Sequence, residues 1–213
     1  MNAHRMIVAA VLAIWLAEAS AEAGFISGSP VGLSDPGVVL TFDEVVLPAQ
    51  TSVTDQYAAY GVTFGPFAMY DEVGNPGNPN ITGNYITNFI ANGVANRIES
   101  IQFDRPVTAA AFAIATQTGT TSFTAYLNGF AVDSGSASTN LTSKDNYFGF
   151  QNEVFDEISF SVASYDLAAV VDNLQFTFAS VPEPTSWILL ASGLGCGAIA
   201  LRVRSGWGTR GRR

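Results

Sequence analysis

Two adjacent acidic pairs, Asp71-Glu72 and Asp156-Glu157, are the first candidates for chemistry in this chain. Two carboxyls about 5–10 Å apart across a sugar can cleave a glycosidic bond, one as acid and the other as base or nucleophile. In so acidic a chain, the competing reading is solvated surface. Aromatic residues offer a second chemistry. Phe67, Tyr70 and Tyr85 fall in GPFAMYDEVGNPGNPNITGNY, residues 65–85, which is rich in Gly, Asn and Pro. Their rings could stack on the apolar C–H faces of sugars, or plug the edge of a β-sandwich and anchor the loop. A connection this long and irregular in a compact domain is usually functional or mobile.

Missing residue types exclude other chemistries. The sole cysteine is Cys196 and the sole histidine is His4, so residues 24–181 contain neither. Disulfides and His/Cys zinc sites are excluded there, as are Ser-His-Asp and Cys-His nucleophilic machinery. No GxSxG, HExxH or Walker-type loop occurs. The same stretch carries three cations, Arg97, Arg105 and Lys144, against fifteen Asp and Glu, a net charge near −12. Such a field repels phosphate backbones, so no nucleic-acid partner is expected.

The elements that must position these groups are strands. TSFTAYLNGFAVDS sets Phe123, Ala125 and Leu127 on one face, and Asn128-Gly129 predicts a type I′ hairpin. EISFSVAS aligns Ile158, Phe160 and Val162; VVDNLQFTF aligns Leu174, Phe176 and Phe178. RIESIQF is an imperfect alternation that places Ile98 and Ile101 near Phe103, and VTAAAFAIAT reads as a fully buried central strand. About ten short strands and no amphipathic helix of useful length predict an all-β fold, an antiparallel β-sandwich of jelly-roll type.

Both ends differ from this body. Residues 1–23 have a positive Arg5, an apolar run over 6–17 and small residues at 19–23, the pattern of a secretory signal peptide with its helix. Residues 187–201 are an apolar stretch suited to a short transmembrane helix, begun by Trp187 and followed by Arg202, Arg204, Arg210, Arg212 and Arg213. Arginines on that side keep the end cytoplasmic and place the acidic domain outside. Domains are therefore expected at 1–23, 24–180 and 181–213.

Pro182-Glu183-Pro184, a short hydrophobic helix and an arginine cluster, in that order, resemble the PEP-CTERM sorting signal. The resemblance implies a Gram-negative bacterium that makes exopolysaccharide. It also implies signal peptidase and the membrane protease-transpeptidase exosortase as processing partners. The inner-membrane anchor would be transient, and the final location the cell surface or extracellular matrix. Prolines at 182 and 184 would keep the backbone extended for a protease. In such a bacterium the glycosylation-like Asn80-Ile81-Thr82 and Asn140-Leu141-Thr142 are read as incidental.

The body has its own resemblance. LTFDE and TSVTDQYAAYGVTF within 40–64, with AVVDNLQFTF at 169–178, are similar to the jelly-roll domains common in PEP-CTERM proteins and, through them, to carbohydrate-binding-module sandwiches. In those folds acids on the first and last strands can hold a structural calcium. The matching positions are Asp43, Glu44, Asp172 and Asn173; otherwise these acids cap strand ends or face solvent. Together the expectation is a non-enzymatic surface or extracellular-matrix protein, polysaccharide-binding or structural, with exopolysaccharide as partner. The alternative is a carboxylate-based glycoside hydrolase or lyase.

Overall fold

Period-two alternation builds ten strands in the computed structural model, which describes residues 24–65, 69–71, 77–88, 98–163 and 168–180. They are β1 (Gly24–Ser29), β2 (Val38–Leu40), β3 (Val62–Phe64), β4 (Met69–Asp71), β5 (Tyr85–Thr87), β6 (Ile98–Thr116), β7 (Gly119–Leu127), β8 (Phe130–Thr139), β9 (Tyr147–Ala163) and β10 (Ala169–Phe178). A 3-10 turn at Ala58–Tyr60 precedes β3. The chain divides into two compact units, Met1–Ala179 and Ser180–Arg213. The signal and sorting segments, with their expected helices, lie outside the described residues. Among the described residues no helix is long and apolar enough to cross a membrane.

All strand pairings are antiparallel. The strands are not uniformly short, as expected from the sequence: β6 has 19 residues and β9 has 17. Each bends and serves both layers. The β6–β9 register breaks between Gln102 and Val107, where Pro106 can donate no ladder hydrogen bond. On β9 the corresponding corner holds Asn152 at φ 60°. One layer runs β4-β5-β10-β6-β9-β1, with β2 following β5 along β10; the other runs β3-β6-β9-β7-β8. This is a β-sandwich.

Its interior is an aromatic seam. Phe123 of β7 contacts Phe25, Phe112, Phe148 and Phe160, with ring centroids 5.3–6.3 Å apart, and stacks on Phe148 at 13°. Phe42, Tyr57 and Phe64, the buried aromatics of the LTFDE and TSVTDQYAAYGVTF stretches, form a second group, packed edge-to-face. The Tyr57 hydroxyl donates to the Phe42 carbonyl at 3.0 Å. These short motifs are thus core architecture.

Two local readings stand and one changes. Asn128 and Gly129 have φ 52° and 79° and join β7 to β8, with Leu127 opposite Phe130. Along β6, Ala110, Phe112 and Ile114 face the main core while Ala113 and Ala115 enter a second apolar cluster, so both faces of this central segment are buried. The RIESIQF alternation differs: Glu99 shares the inward face with Ile101 and Phe103, because the strand runs unbroken from Glu99 to Phe103.

Truncating Phe123 to Ala should cost about 3–5 kcal/mol, since it empties a fully packed site between layers. Urea unfolding of the Phe123→Ala chain checks this; a loss under about 1 kcal/mol would mean the seam does not carry the layer contact.

Candidate functional site

The described end of the Gly/Asn/Pro-rich stretch, residues 77–85, packs on the outer face of the β10-β6-β9 sheet. Ile81 and Tyr85 pack with Ala113, Ala115 and Tyr147 in the second apolar cluster. At Met69–Asp71 the stretch forms β4, paired with β5; from residue 77 to 84 it is fastened by amides and carboxylates. Asn80 Nδ2 donates to Asn146 Oδ1 at 2.7 Å, and Asn146 Nδ2 donates to the Pro79 carbonyl at 2.6 Å. The Asn80 amide of the glycosylation-like triplet is therefore engaged within the fold. The other triplet is a local turn, with Asn140 Oδ1 accepting from the backbone N–H groups of Thr142 and Ser143.

The residues expected to hold calcium are drawn to this loop from both ends of the chain. Asp172 Oδ2 accepts from Thr82 N–H at 2.8 Å and Oδ1 from Asn173 N–H at 2.6 Å. Asp43 Oδ1 accepts from Asn84 N–H at 3.0 Å and from Asn84 Nδ2 at 2.6 Å. Glu44 Oε1 accepts from Thr41 N–H at 2.9 Å, back within its own turn. Asn173 turns its Nδ2, a donor, to the Asn80 carbonyl at 2.8 Å. No group of three or more His, Cys, Asp or Glu among the described residues is placed to hold a metal. Calcium needs six to eight oxygens around one point. Here Asp43 Oδ1, Glu44 Oε1 and both oxygens of Asp172 accept N–H groups. Asp172 is fully buried, and burial pushes its carboxyl up to about 7; its N–H donors oppose the rise, and the charges of Asp43 and Glu44 add to it.

A second buried acid lies elsewhere. Glu99 is 7% exposed and points between the layers, into an apolar cavity of about 10 Å³ lined by Phe64, Ile86, Ile101, Phe160 and Val171 among others. That is room for about one water molecule. Among the described residues its Oε1 has no hydrogen-bond partner, and burial pushes the carboxyl up to about 8. Sequence reading passed over Glu99 because the expected alternation assigned it to the polar side.

Of the adjacent acidic pairs, Asp71, Asp156 and Glu157 are described, and each is placed by local contacts. Asp71 hydrogen-bonds Tyr85, whose hydroxyl is pushed up by burial and then by that carboxylate, and Glu72 lies outside the described residues. Asp156 Oδ2 accepts from Asn128 N–H at 2.9 Å and so ties down the β7–β8 turn. Burial, then Asp156, pushes the half-buried Glu157 up. The expected stacking aromatics are also relocated. Tyr70 is 0% and Tyr85 7% exposed, so neither ring offers a face to a sugar; apolar burial outcompetes exposure for both. Phe67 lies outside the described residues.

An open groove of about 340 Å³ lies instead where β2, the 3-10 turn, the β6 corner and the end of β10 meet. Tyr60 is 38% exposed there, beside exposed Asp104 and Arg105. The Arg105 guanidinium sits 3.8 Å from the centre of the Phe178 ring. Gly61, at φ 85°, lets the chain turn against this wall: a Cβ there would lie 2.7 Å from Phe178 Cζ. Its carbonyl accepts from Asp104 N–H at 3.0 Å, which fixes the corner. An aromatic ring, a stacked guanidinium and a carboxylate in one concavity can hold a polyhydroxylated ring by its apolar face and its hydroxyls. Sequence reading missed this site. Its available signal was Arg105, one of three cations in an acidic domain, immediately before the strand-breaking Pro106.

No family model matches this chain, and no curated protein matches it. Among solved structures, it is similar to the enzymatically active domain of bacteriophage CBA120 tailspike protein 4, with 13% identity, TM-score 0.35, and 62% of this chain against 21% of that one. It is also similar to the CBM22-1–GH10 modules of Clostridium thermocellum endo-1,4-beta-D-xylanase 10B, complexed with xylohexaose. There the identity is 13%, the TM-score 0.39, and the coverage 70% of this chain and 29% of that one. The chain thus spans less than a third of each of these two proteins.

Both buried acids give a signed pH dependence. Each binds its proton more tightly folded than unfolded, so the cost of ionisation is absent below the ordinary carboxylate range. It grows until about pH 7 for Asp172 and about pH 8 for Glu99. The melting temperature should therefore fall as pH rises from 5 to 9, as far as these groups decide it. Glu99→Gln should remove part of that fall, raising the melting temperature more at pH 9 than at pH 5. Equal shifts at both pH values would show that Glu99 is not a buried titrating group.

Proposed function

We propose that this is an exported protein of the cell surface or extracellular matrix, a non-enzymatic polysaccharide-binding or structural component on a jelly-roll-type sandwich. A secretory signal at 1–23 would deliver it. The Pro182-Glu183-Pro184 signal, with its apolar run and arginines, would hold it in the inner membrane until exosortase acts. The observation that carries the binding reading is the groove, where exposed Tyr60 and the Phe178-stacked Arg105 share one concavity with Asp104. The acidic body supports a partner other than nucleic acid.

Tyr60→Ala and Arg105→Ala, each in the full chain, should weaken binding to a recognised soluble glycan by about tenfold, the loss of one stacking or charge-assisted contact. Glycan-panel titrations read this, and unchanged affinity in both variants overturns the groove. Removing residues 181–213 should move the protein from the membrane fraction to the medium; membrane retention would sink the sorting reading.

The alternative is a carboxylate-based hydrolase or lyase. Glu99 does not supply its general acid, because it faces a cavity with room for about one water molecule and no sugar ring. Release of reducing ends by the wild-type chain would replace the non-enzymatic reading.

A further inference from the structure

The outer face of the β3-β6-β9-β7-β8 layer carries a pattern that the groove does not use. Strand pairing sets Ser136, Ser122 and Ser161 in one row across β8, β7 and β9, and Ser134, Thr124 and Ser159 in the next. Ser138 opposite Thr120 continues it as a shorter third row. Ser122, Ser134 and Ser136 are exposed, while Thr124, Ser159 and Ser161 are half-buried. Ser122 Oγ and Ser136 Oγ lie 3.2 Å apart in a cross-strand hydrogen bond. Neighbouring rows repeat every two residues, ~6.8 Å, and neighbouring strands every ~4.8 Å, so the hydroxyls form a shallow grid. Each hydroxyl can donate once and accept twice.

Charge is what makes the grid specific. The chain carries a formal net charge of −9, and its acids are scattered through the strands and loops around this face. At the outward positions of β7, β8 and the paired part of β9, the only charged residue is Glu157, opposite Tyr126 at the border; Asp133, at the β8 bulge, turns its carboxylate to the Ser134 N–H at 2.7 Å. A solvent-facing sheet ordinarily keeps itself soluble and unpaired with lysines and glutamates. A polyanion would be repelled by the molecule as a whole, and a polycation would find nothing to pair with on this patch. An uncharged polymer with hydroxyls at regular intervals meets neither objection, and it can exchange its water for the grid's donors and acceptors.

We propose that this hydroxyl face is a flat docking surface for the side of a neutral polysaccharide chain, separate from the groove at Tyr60. The inference rests on the polysaccharide reading above but not on that groove. The test uses the detergent-solubilised full chain, sedimented with microcrystalline cellulose, with insoluble α-glucan, and with a polyuronate gel. Wild type should pellet with at least one of the neutral polymers and not with the polyuronate. Ser122→Glu with Ser136→Glu should weaken pelleting by about tenfold, and Tyr60→Ala should leave it unchanged. The milder pair Ser122→Ala with Ser136→Ala, with melting temperatures measured for all variants, separates loss of the grid from loss of the fold. It should reduce pelleting in the same direction.

Unchanged pelleting in both serine pairs overturns the proposal. So does pelleting with the polyuronate alone. If wild type binds soluble oligosaccharides in a Tyr60-dependent way but pellets with no neutral polymer, the face is rejected and the groove stands. If it binds no glycan at all, both fall. A concentration-dependent dimer that the glutamate pair dissociates, with pelleting untouched, would assign the face to a second copy of the chain and reject the polymer.

Discussion

The structure depends on the packing of Phe123 between layers. Its ring meets aromatics contributed by β1, by both long strands and by both layers. Apolar burial of this kind is non-directional and roughly proportional to area, and the geometry of ring pairs adds to it. The long strands β6 and β9 can bend across both layers because the seam rewards the bend. Pro106 and Asn152 lie at the two corners, where the ladder would otherwise force the strands straight. The outer features follow from that bend: the groove lies at the β6 corner, and the hydroxyl rows lie on the layer that the bend turns away from the loop.

Polar chemistry is used mainly as fastening. Asp43, Asp156, Asp172, Asn80 and Asn146 each accept or donate hydrogen bonds across loops or turns. An unsatisfied buried donor costs more than a made hydrogen bond contributes net, so a loop laid over an apolar sheet must find partners for its amides. Carboxylates from distant parts of the chain supply them. The consequence is a raised acid at Asp172, whose N–H donors offset only part of its burial. Glu99 is the contrasting case, an acid whose buried Oε1 meets no partner among the described residues and which is held chiefly in its neutral form.

How much was legible varied with the range of the interactions. The Asn128-Gly129 hairpin was readable because a two-residue turn needs only local positive φ. The buried central segment of β6 was readable because a strand covered on both faces must be apolar throughout. Tyr70 and Tyr85 were not: a tyrosine has an apolar body and a polar tip, and only the neighbours brought to it decide which is used. The calcium positions were half legible. Asp43 and Asp172 do meet at one loop, but sequence could not say that its amides would occupy their oxygens.

By itself the sequence determined the all-β class, the hairpin, the absence of histidine and cysteine chemistry in the body and the sign of its charge. Each of these is set by residue type or by contacts close along the chain. The tertiary structure alone decided that Glu99 is buried, that Tyr70 and Tyr85 are core and that Tyr60, Arg105 and Phe178 share a groove. It also decided that serines from three strands align. The physical reason is register: β6, β7, β9 and β10 bring together residues tens of positions apart, and a shift of one residue would send every side chain to the other face.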